Sequence, residues 1–196
     1  LHSADIDIIP DRIEAGTFLM AGALLGEIEV RDIIPGHLDK VVHKLREAGC
    51  ILKINQNSII ITPPIKIKSV DMTTAVYPGF PTDLQAQWVA IMSLADGSSV
   101  VTDTVYHDRF SHIPELSRLG ANIKVENNTA FIRGKNTLVG APVMSTDIRA
   151  SASLIIAALA AKGETQISRV YHIDRGYENI EQKFEGLGGD IRRISE

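Results

Sequence analysis

The sequence predicts an α/β fold made of three tandem copies of one β-α-β-α-β-β unit. Three observations lead to this prediction: an Asp opens three apolar helical patterns, two glycines follow each Asp at repeated distances, and a β-favouring run follows each first helix. The copies cover about residues 4–62, 66–133 and 141–196, called units one, two and three below. The 196 residues are long enough for one substantial domain with a buried core.

The repeat is anchored by Asp11, Asp83 and Asp147, which each precede a predicted helix. A Gly follows each Asp after 14 to 16 residues, and a second Gly follows after 37 to 41 residues. The first set is Gly26, Gly97 and Gly163, and the second set is Gly49, Gly120 and Gly188. Because Gly is favoured directly after a helix, both sets predict helix ends.

The first helices of units two and three are predicted from apolar residues at helical spacing. In unit two these are Leu84, Trp88, Ile91, Met92 and Ala95. In unit three they are Ile148, Ala152, Ile155, Ile156 and Leu159. The unit-three pattern covers more than one face of the helix, which predicts that these helices lie in the interior.

Strands are predicted before and after each first helix. The leading strands are residues 4–9, 66–74 and 141–145, the middle strands are 27–33, 98–103 and 165–170, and the hairpins are 51–54 with 58–61 and 123–126 with 129–133. Unit three ends with a strand at 190–194 that lacks a partner, and an unpaired edge beside a core is a liability. We therefore expect a segment outside this sequence, from the start of the full-length chain, to complete unit three. The first residue, Leu1 in place of Met, also suggests a fragment or processed chain.

Composition excludes several classes of function. The formal net charge is −4 and the Lys and Arg residues do not cluster, which argues against nucleic-acid binding. The longest apolar stretch, residues 153–161, is too short to span a membrane. Cys50 is the single cysteine and no signal-peptide pattern opens the chain, so we expect a cytoplasmic protein without disulfides.

No cofactor or metal is predicted. The histidines lack zinc-ligand spacing, and glycine-rich phosphate loops of the P-loop or dinucleotide type are absent from the sequence. Cys50 follows Gly49 and aligns with Ala121 in the repeat, so we interpret it as a small buried apolar residue with no chemical role.

Five segments carry a resemblance to a known family. They are residues 10–17 (PDRIEAGT), 80–87 (FPTDLQAQ), 107–110 (HDRF), 146–151 (TDIRAS) and 171–178 (YHIDRGYE). In this order they resemble the enolpyruvyl transferases that act on UDP-N-acetylglucosamine, over nearly the whole chain and within the second of two domains. The resemblance implies an inside-out α/β barrel with helices inside and an active site in the cleft between the domains. It also implies a missing N-terminal domain.

The activity implied is transfer of the enolpyruvyl group of phosphoenolpyruvate to the 3′-hydroxyl of UDP-N-acetylglucosamine with release of phosphate, the first committed step of peptidoglycan synthesis. The resemblance assigns Asp83 to the sugar contact and to removal of the 3′-hydroxyl proton. It assigns Asp147 and Arg149 to a supporting acidic-basic pair near the reacting centre. The cysteine that protonates the methylene carbon in this family belongs to the other domain, so Cys50 receives no role.

The remaining implied contacts are substrate contacts. Arg109 and Arg175 match arginines that hold the phosphoenolpyruvate carboxylate, and the guanidinium fork suits carboxylate and phosphate groups. Val105 matches a backbone contact to UDP-N-acetylglucosamine, and Thr82 and Tyr106 flank the same sites. Without its second domain, the fragment is expected to bind phosphoenolpyruvate poorly and to turn nothing over.

Simpler interpretations stay open at this point. Each Asp would also suit the positive end of a helix, where it is worth about 0.3–1 kcal/mol. Arg109 and Arg175 would also suit exposed pairs with the adjacent Asp108 and Asp174, worth about 0–1 kcal/mol. At the level of function, the alternatives are transfer to shikimate 3-phosphate and a non-catalytic domain that retains the fold.

Overall fold

The computed structural model describes residues 2–194 and confirms the α/β architecture. Unit one contains α1 (Arg12–Leu25), β1 (Ile28–Arg31), α2 (Asp39–Glu47), β2 (Ile51–Ile54) and β3 (Ser58–Thr62). Unit two contains β4 (Met72–Thr73), α3 (Gln85–Met92), β5 (Ser98–Thr102), α4 (Ile113–Arg118), β6 (Asn122–Glu126) and β7 (Thr129–Arg133). Unit three contains β8 (Val143–Met144), α5 (Ile148–Ala160), β9 (Ile167–Ser168) and α6 (Ile180–Gly186). Short 3-10 turns cover Pro35–Leu38, Thr82–Leu84 and Val170–Arg175.

The first helices of the three units, α1, α3 and α5, pack against one another in the interior. Every residue of α3 is buried, including Trp88 and Ile91, which are 0% exposed. Such helices can be apolar on all sides because other helices and the sheets surround them. The sheets lie outside these helices, with β1 and β3 against α1 and with β5 and β7 against α3. This arrangement, with helices inside and sheets outside, is the one implied by the family resemblance.

The sheets repeat one order of strands. Unit one has the order β1-β3-β2, and unit two has the order β4-β5-β7-β6. In both units the last strand of the hairpin lies between its partner and the middle strand and is antiparallel to both. In unit two the leading strand β4 adds in parallel to β5, and in unit three β8 adds in parallel to β9. Both predicted hairpins are therefore confirmed.

The second helix of each unit ends in the same hydrogen-bonded cap. After α4, the amide of Gly120 donates to the carbonyl of Ser117 at 2.9 Å, and the amide of Ala121 donates to that of Leu116 at 3.1 Å. The same two bonds close α2 at Gly49 and α6 at Gly188. The φ of Gly120 is +91°, in the left-handed region where a Cβ is costly. The second glycine set therefore ends helices as predicted.

The first glycine set ends only one helix. Gly26 directly follows α1, but α3 ends at Met92 and α5 ends at Ala160, several residues before Gly97 and Gly163. Tight turns follow α3, with the amide of Ala95 donating to the carbonyl of Met92. Gly97 and Gly163 then lie at positive φ in the connections toward the middle strands, so the prediction that they end helices is wrong.

Two predicted strands are absent from the described part of the chain. Residues 4–9 form no strand, and Ile6 and Ile8 are 87% and 93% exposed. Residues 190–194 likewise form no strand. Both segments have β-favouring side chains, but a strand also needs a neighbour that satisfies its backbone donors and acceptors. The predicted strands at 66–74, 141–145 and 165–170 shorten to two residues each for β4, β8 and β9.

A cavity of about 610 Å³, lined by both apolar and polar side chains, lies between residues 163–167 and residues 190–194, with the end of α5 on one side. In units one and two, the last strand of the hairpin occupies the corresponding place beside the middle strand. The expectation that a segment from elsewhere completes unit three stays a prediction, and the cavity is where such a strand would lie. In residues 2–194, no helix combines the length and apolar character needed to cross a bilayer.

Replacing Gly120 with Ala tests the cap of α4. The new Cβ meets nothing within 4 Å, so only the left-handed backbone opposes it. We expect the variant to lose about 1 kcal/mol in free energy of unfolding, measured by urea denaturation. Gly36→Ala is the control, because it also meets nothing within 4 Å and lies at negative φ. Equal stability of the two variants would contradict the assignment.

Candidate active site

Asp83 behaves differently from its two counterparts in the repeat. The carboxylate of Asp11 caps α1 by accepting from the amide of Ile13 at 2.7 Å. The carboxylate of Asp147 caps α5 by accepting from the amides of Arg149 at 2.8 Å and Ala150 at 3.0 Å. Asp83 lies within the 3-10 turn before α3 and makes no such cap. The helix-start interpretation therefore holds for two of the three aspartates only.

Two guanidinium groups converge on the carboxylate of Asp83. The Nη1 atom of Arg109 donates to Asp83 Oδ1 at 2.7 Å, and the Nε atom of Arg149 donates to the same oxygen at 3.2 Å. The side chains of Arg109, Arg149 and Asp83 are 24%, 21% and 35% exposed. Within residues 2–194, no donor reaches the second oxygen, Oδ2. That oxygen can accept a hydrogen bond from a substrate hydroxyl.

The pKa of Asp83 is set by opposing effects. Burial raises the pKa, but the positive charges of Arg149 and Arg109 outweigh burial and bring it below the ordinary value. Asp83 is therefore ionised at neutral pH. With both arginines attached it is a weak base, since a stabilised carboxylate binds a proton poorly. An anionic ligand that binds one of the two guanidinium groups in place of Asp83 would make Asp83 a stronger base.

Arg109 follows β5 and contacts three side chains of the site. Besides Asp83, its Nη1 donates to Thr82 Oγ1 at 3.3 Å, and its guanidinium lies 5.0 Å from the ring centroid of Tyr106. A cation over an aromatic face gains about 0.5–1 kcal/mol at a partly exposed site. The adjacent Asp108 is not its partner, so the interpretation of Arg109 as half of a local surface pair is wrong.

A buried polar cluster lies close enough to Arg149 for its charge to act on the pKa of Tyr177. The hydroxyl groups of Tyr177 and Thr17 are 2.8 Å apart, and Gln87 Nε2 donates to Thr17 Oγ1 at 3.0 Å. Burial raises the pKa of Tyr177, while Thr17, Arg149 and Gln87 act in the opposite direction. Each unit contributes one member of this cluster, which we call the Thr17–Gln87–Tyr177 cluster. It joins α1 and α3 to the segment that precedes α6.

Asp147 acts on the site through the helix that it caps. Its carboxylate also accepts from Ser111 Oγ at 3.0 Å. Burial raises the pKa of Asp147, but bonds from the amide of Ala150, from Ser111 and from the amide of Arg149 bring it below the ordinary value. Asp147 thus fixes the start of α5, from which the Arg149 side chain extends to Asp83. The contact between the two residues is the bond from the Arg149 amide to the Asp147 carboxylate, and their role as a supporting pair stays a prediction.

Arg175 is a predicted site residue that does not join the group formed by Asp83, Arg109 and Arg149. It ends a 3-10 turn and its side chain is exposed. The neighbouring Asp174 accepts two bonds from Arg193, at 2.9 and 2.6 Å, so it is not the partner of Arg175. The next residue, Gly176, packs so closely on Ile148 that a Cβ would lie 2.8 Å from its Cγ2. The Arg175 backbone is thereby placed beside the start of α5, at the rim of the site.

Val105 and Tyr106 lie in the loop after β5, with 40% and 55% of their surfaces exposed. Their amides donate to the carboxylate of Asp103, at 3.0 and 2.8 Å. The amide of Val105 is therefore occupied, and its carbonyl is the group left for a substrate contact. Sequence reasoning missed Asp103 because it was counted as the last residue of a β-favouring run. A charged residue at the end of that run was the available signal.

Two further titratable side chains, Cys50 and His112, are buried and make no hydrogen bond to Asp83 within the described residues. Cys50 is buried, and burial raises the pKa of its thiol to about 11, which fits the interpretation of an apolar residue. His112 is buried as well, and burial lowers its pKa to about 4. In the part of the chain that the structure describes, no three His, Cys, Asp or Glu side chains are grouped so as to hold a metal ion.

Comparison with known proteins gives close relatives. UDP-N-acetylglucosamine 1-carboxyvinyltransferase of Myxococcus xanthus is 51% identical over 187 residues, which are 95% of this chain and 44% of the relative. The protein of the same name from Koribacter versatilis is 52% identical over 197 aligned residues, covering 100% of this chain and 46% of the relative. The chain thus spans a little under half the length of these curated relatives.

Solved structures agree on the fold. The enolpyruvyl transferase NikO from Streptomyces tendae superposes with a TM-score of 0.85 at 29% identity, over 97% of this chain and 45% of that chain. EPSP synthase from Acinetobacter baumannii superposes with a TM-score of 0.73 at 17% identity, a likeness of fold alone. The family model described as EPSP synthase (3-phosphoshikimate 1-carboxyvinyltransferase) matches residues 1–184. The chain therefore belongs to the EPSP synthase family of carboxyvinyl, or enolpyruvyl, transferases.

Proposed function

We propose that this chain is the carboxy-terminal domain of a two-domain enzyme that transfers the enolpyruvyl group of phosphoenolpyruvate to the 3′-hydroxyl of UDP-N-acetylglucosamine. The observation that carries the proposal is one carboxylate, Asp83, held by two arginines with its second oxygen open, in a chain about half identical to carboxyvinyltransferases of that name. Phosphate is the second product. The reaction belongs to peptidoglycan synthesis in the cytoplasm.

Asp83 is the general base of the proposed reaction. Its Oδ2 accepts the proton of the 3′-hydroxyl while the hydroxyl oxygen forms a bond to the second carbon of phosphoenolpyruvate. The methylene carbon of phosphoenolpyruvate gains a proton from an acid outside this chain, and loss of phosphate and of a methyl proton then restores the double bond. Cys50 is unsuited to be that acid, because it is buried and its thiol pKa is about 11.

The arginines hold the anionic substrate. Arg109 and Arg175 bind the carboxylate of phosphoenolpyruvate, and Arg149 orients Asp83. A guanidinium and an anion in contact attract by about 4 kcal/mol in a partly shielded site and by about 1 kcal/mol in open water. Since Asp83 is 35% exposed in this chain, an opposing domain is needed to exclude water. We infer that this domain comes from the half of the enzyme that lies outside these 196 residues.

Shikimate 3-phosphate is the competing acceptor, because the family model carries the name of the enzyme that uses it. The relatives at about 50% identity favour UDP-N-acetylglucosamine instead. A non-catalytic domain would have no need for a carboxylate that two partly buried arginines contact at one oxygen while its other oxygen stays open. That arrangement favours an enzyme over a scaffold.

The acceptor and the need for a second domain are tested together. We expect the full-length protein to release phosphate from phosphoenolpyruvate in the presence of UDP-N-acetylglucosamine and not of shikimate 3-phosphate. We expect residues 1–196 alone to release none. Phosphate release can be followed by colorimetry and the carboxyvinyl product by mass spectrometry. Turnover of shikimate 3-phosphate, absence of turnover by the full-length protein, or product from the isolated chain would each contradict one part of the proposal.

Asp83→Asn tests the base. The amide keeps the shape of the carboxylate but cannot take the proton, so we expect kcat of the full-length protein to fall about 10²–10⁴-fold with a smaller effect on KM. Asp11→Asn is the matched control, because Asn also caps helices well and Asp11 serves only α1. A kcat for Asp83→Asn within twofold of that of Asp11→Asn would contradict a role as base.

The pH dependence tests the electrostatics of Asp83. Because its pKa lies below the ordinary value of 3.8, the contribution of its charge to activity and stability is present at higher pH and is lost as pH falls through the lowered pKa. Arg149→Gln removes one cation, so we expect the acidic limb of kcat/KM to move to higher pH. Arg118→Gln, which alters an exposed arginine on α4, is the control. An unchanged limb in Arg149→Gln would be inconsistent with the ion pair.

A further inference from the structure

Asp103 is a buried acidic residue that none of the proposed chemistry uses. It directly follows β5 and is 0% exposed, although an ionised carboxylate in the interior is costly unless it is well bonded. Four donors surround it. Oδ1 accepts from Thr74 Oγ1 at 2.7 Å, Val105 N at 3.0 Å and Tyr106 N at 2.8 Å. Oδ2 accepts from Thr82 Oγ1 at 2.6 Å.

These donors belong to the candidate active site or lie beside it. Val105 and Tyr106 form the exposed loop assigned to the sugar nucleotide, and Thr82 precedes Asp83 in the chain. Thr74 connects the same loop to β4, since its Oγ1 accepts from the amide of Thr104 at 2.9 Å. One carboxylate thus joins the loop after β5 to the turn that carries the proposed base.

The fold itself does not demand this carboxylate. The residues at the same place in units one and three, directly after β1 and β9, are Asp32 and Arg169. Both are exposed, and both turn the chain with a left-handed φ, at +56° and +57°. Asp103 has no such φ. Two of three units therefore close this turn without a buried acid, and the unit that has one is the unit with Asp83.

The bond to Thr82 sets the direction of a hydrogen-bond relay. Because the Thr82 hydroxyl donates its proton to Asp103, its oxygen is free only to accept. It accepts from Nη1 of Arg109 at 3.3 Å, the same atom that donates to Asp83 at 2.7 Å. If the Thr82 hydroxyl were turned the other way, its proton would point at the Arg109 guanidinium, which has no hydrogen-bond acceptor.

We propose that Asp103 is a positioning residue for the transfer reaction, which orients the Thr82 hydroxyl and the backbone of residues 105–106 and thereby aligns Arg109 for its anionic ligand. The inference rests on the proposed function, since it assigns Arg109 to phosphoenolpyruvate. Burial raises the pKa of Asp103, but bonds from Thr82, the amide of Tyr106, Thr74 and the amide of Val105 bring it below the ordinary value. The residue is therefore an acceptor at neutral pH.

Asp103→Asn in the full-length protein is the direct test. The amide has nearly the same shape, but its NH₂ group faces either Thr82 or the three donors at Oδ1, so it cannot accept all four bonds. We expect KM for phosphoenolpyruvate to rise about 10-fold with a smaller change in kcat. Asp71→Asn is the matched control, because Asp71 also accepts an amide of β5, from Val100 at 2.7 Å, and it plays no part in the site.

Thr82 variants test the relay independently of the folding of Asp103→Asn. We expect Thr82→Val to raise KM for phosphoenolpyruvate in the same way and Thr82→Ser, which keeps the hydroxyl, to restore it. Asp103→Asn combined with Thr82→Val should be clearly less than additive, because both remove one relay. If Thr82→Val leaves KM at the wild-type value, or if the two changes are additive, the proposal is wrong.

Turnover by the wild type and by Asp71→Asn separates this inference from the proposed function. If neither turns over UDP-N-acetylglucosamine, the proposed function fails, and the relay is then judged by NMR of the Arg109 side chain. In that measurement we expect faster solvent exchange of the Arg109 Nη–H protons in Asp103→Asn and Thr82→Val than in Asp71→Asn. Equal exchange in all three variants would overturn the role of Asp103.

Discussion

The mutual packing of α1, α3 and α5 is the constraint on which the other features depend. These helices surround one another and bury apolar side chains on several faces, so the sheets can only lie outside them. The same packing brings the N-terminal halves of helices from different units together. Arg149 of α5 reaches Asp83 before α3, and Thr17 of α1 reaches Gln87 of α3. The site is thus a product of helix packing between units.

The three aspartates at the helix starts have divergent roles within one geometry. Asp11 and Asp147 use their carboxylates on helix amides, which stabilises a helix start by about 0.5–2 kcal/mol. Asp83 instead faces two guanidinium groups, at the expense of a cap. The start of α3 thus lacks the stabilisation of an Asp cap, and the Asp83 carboxylate keeps one oxygen open for a ligand. The supporting contacts from Asp147 and Asp103 then fix the groups around it.

A feature was predictable from the sequence when the residues that form it are close together in the chain. The caps at Gly49, Gly120 and Gly188 and the hairpin turns depend on neighbouring residues, and they were predicted correctly. Residues 4–9 have as good a β pattern as the hairpin strands, yet they form no strand, because β pairing depends on a partner distant in sequence. Gly97 and Gly163 were misassigned because Gly favours turns in general as well as helix ends.

For the site, the sequence by itself determined which side chains are available: three repeated Asp residues, arginines in the loops after the middle strands, and a family pattern that singles out Asp83. Only the tertiary structure decided that Arg109 and Arg149 share one oxygen of Asp83 and that Asp103 is buried. The reason is that residue types and spacing specify local chemistry. Charge pairing and burial depend on groups that are dozens of residues apart and meet only when the three helices pack.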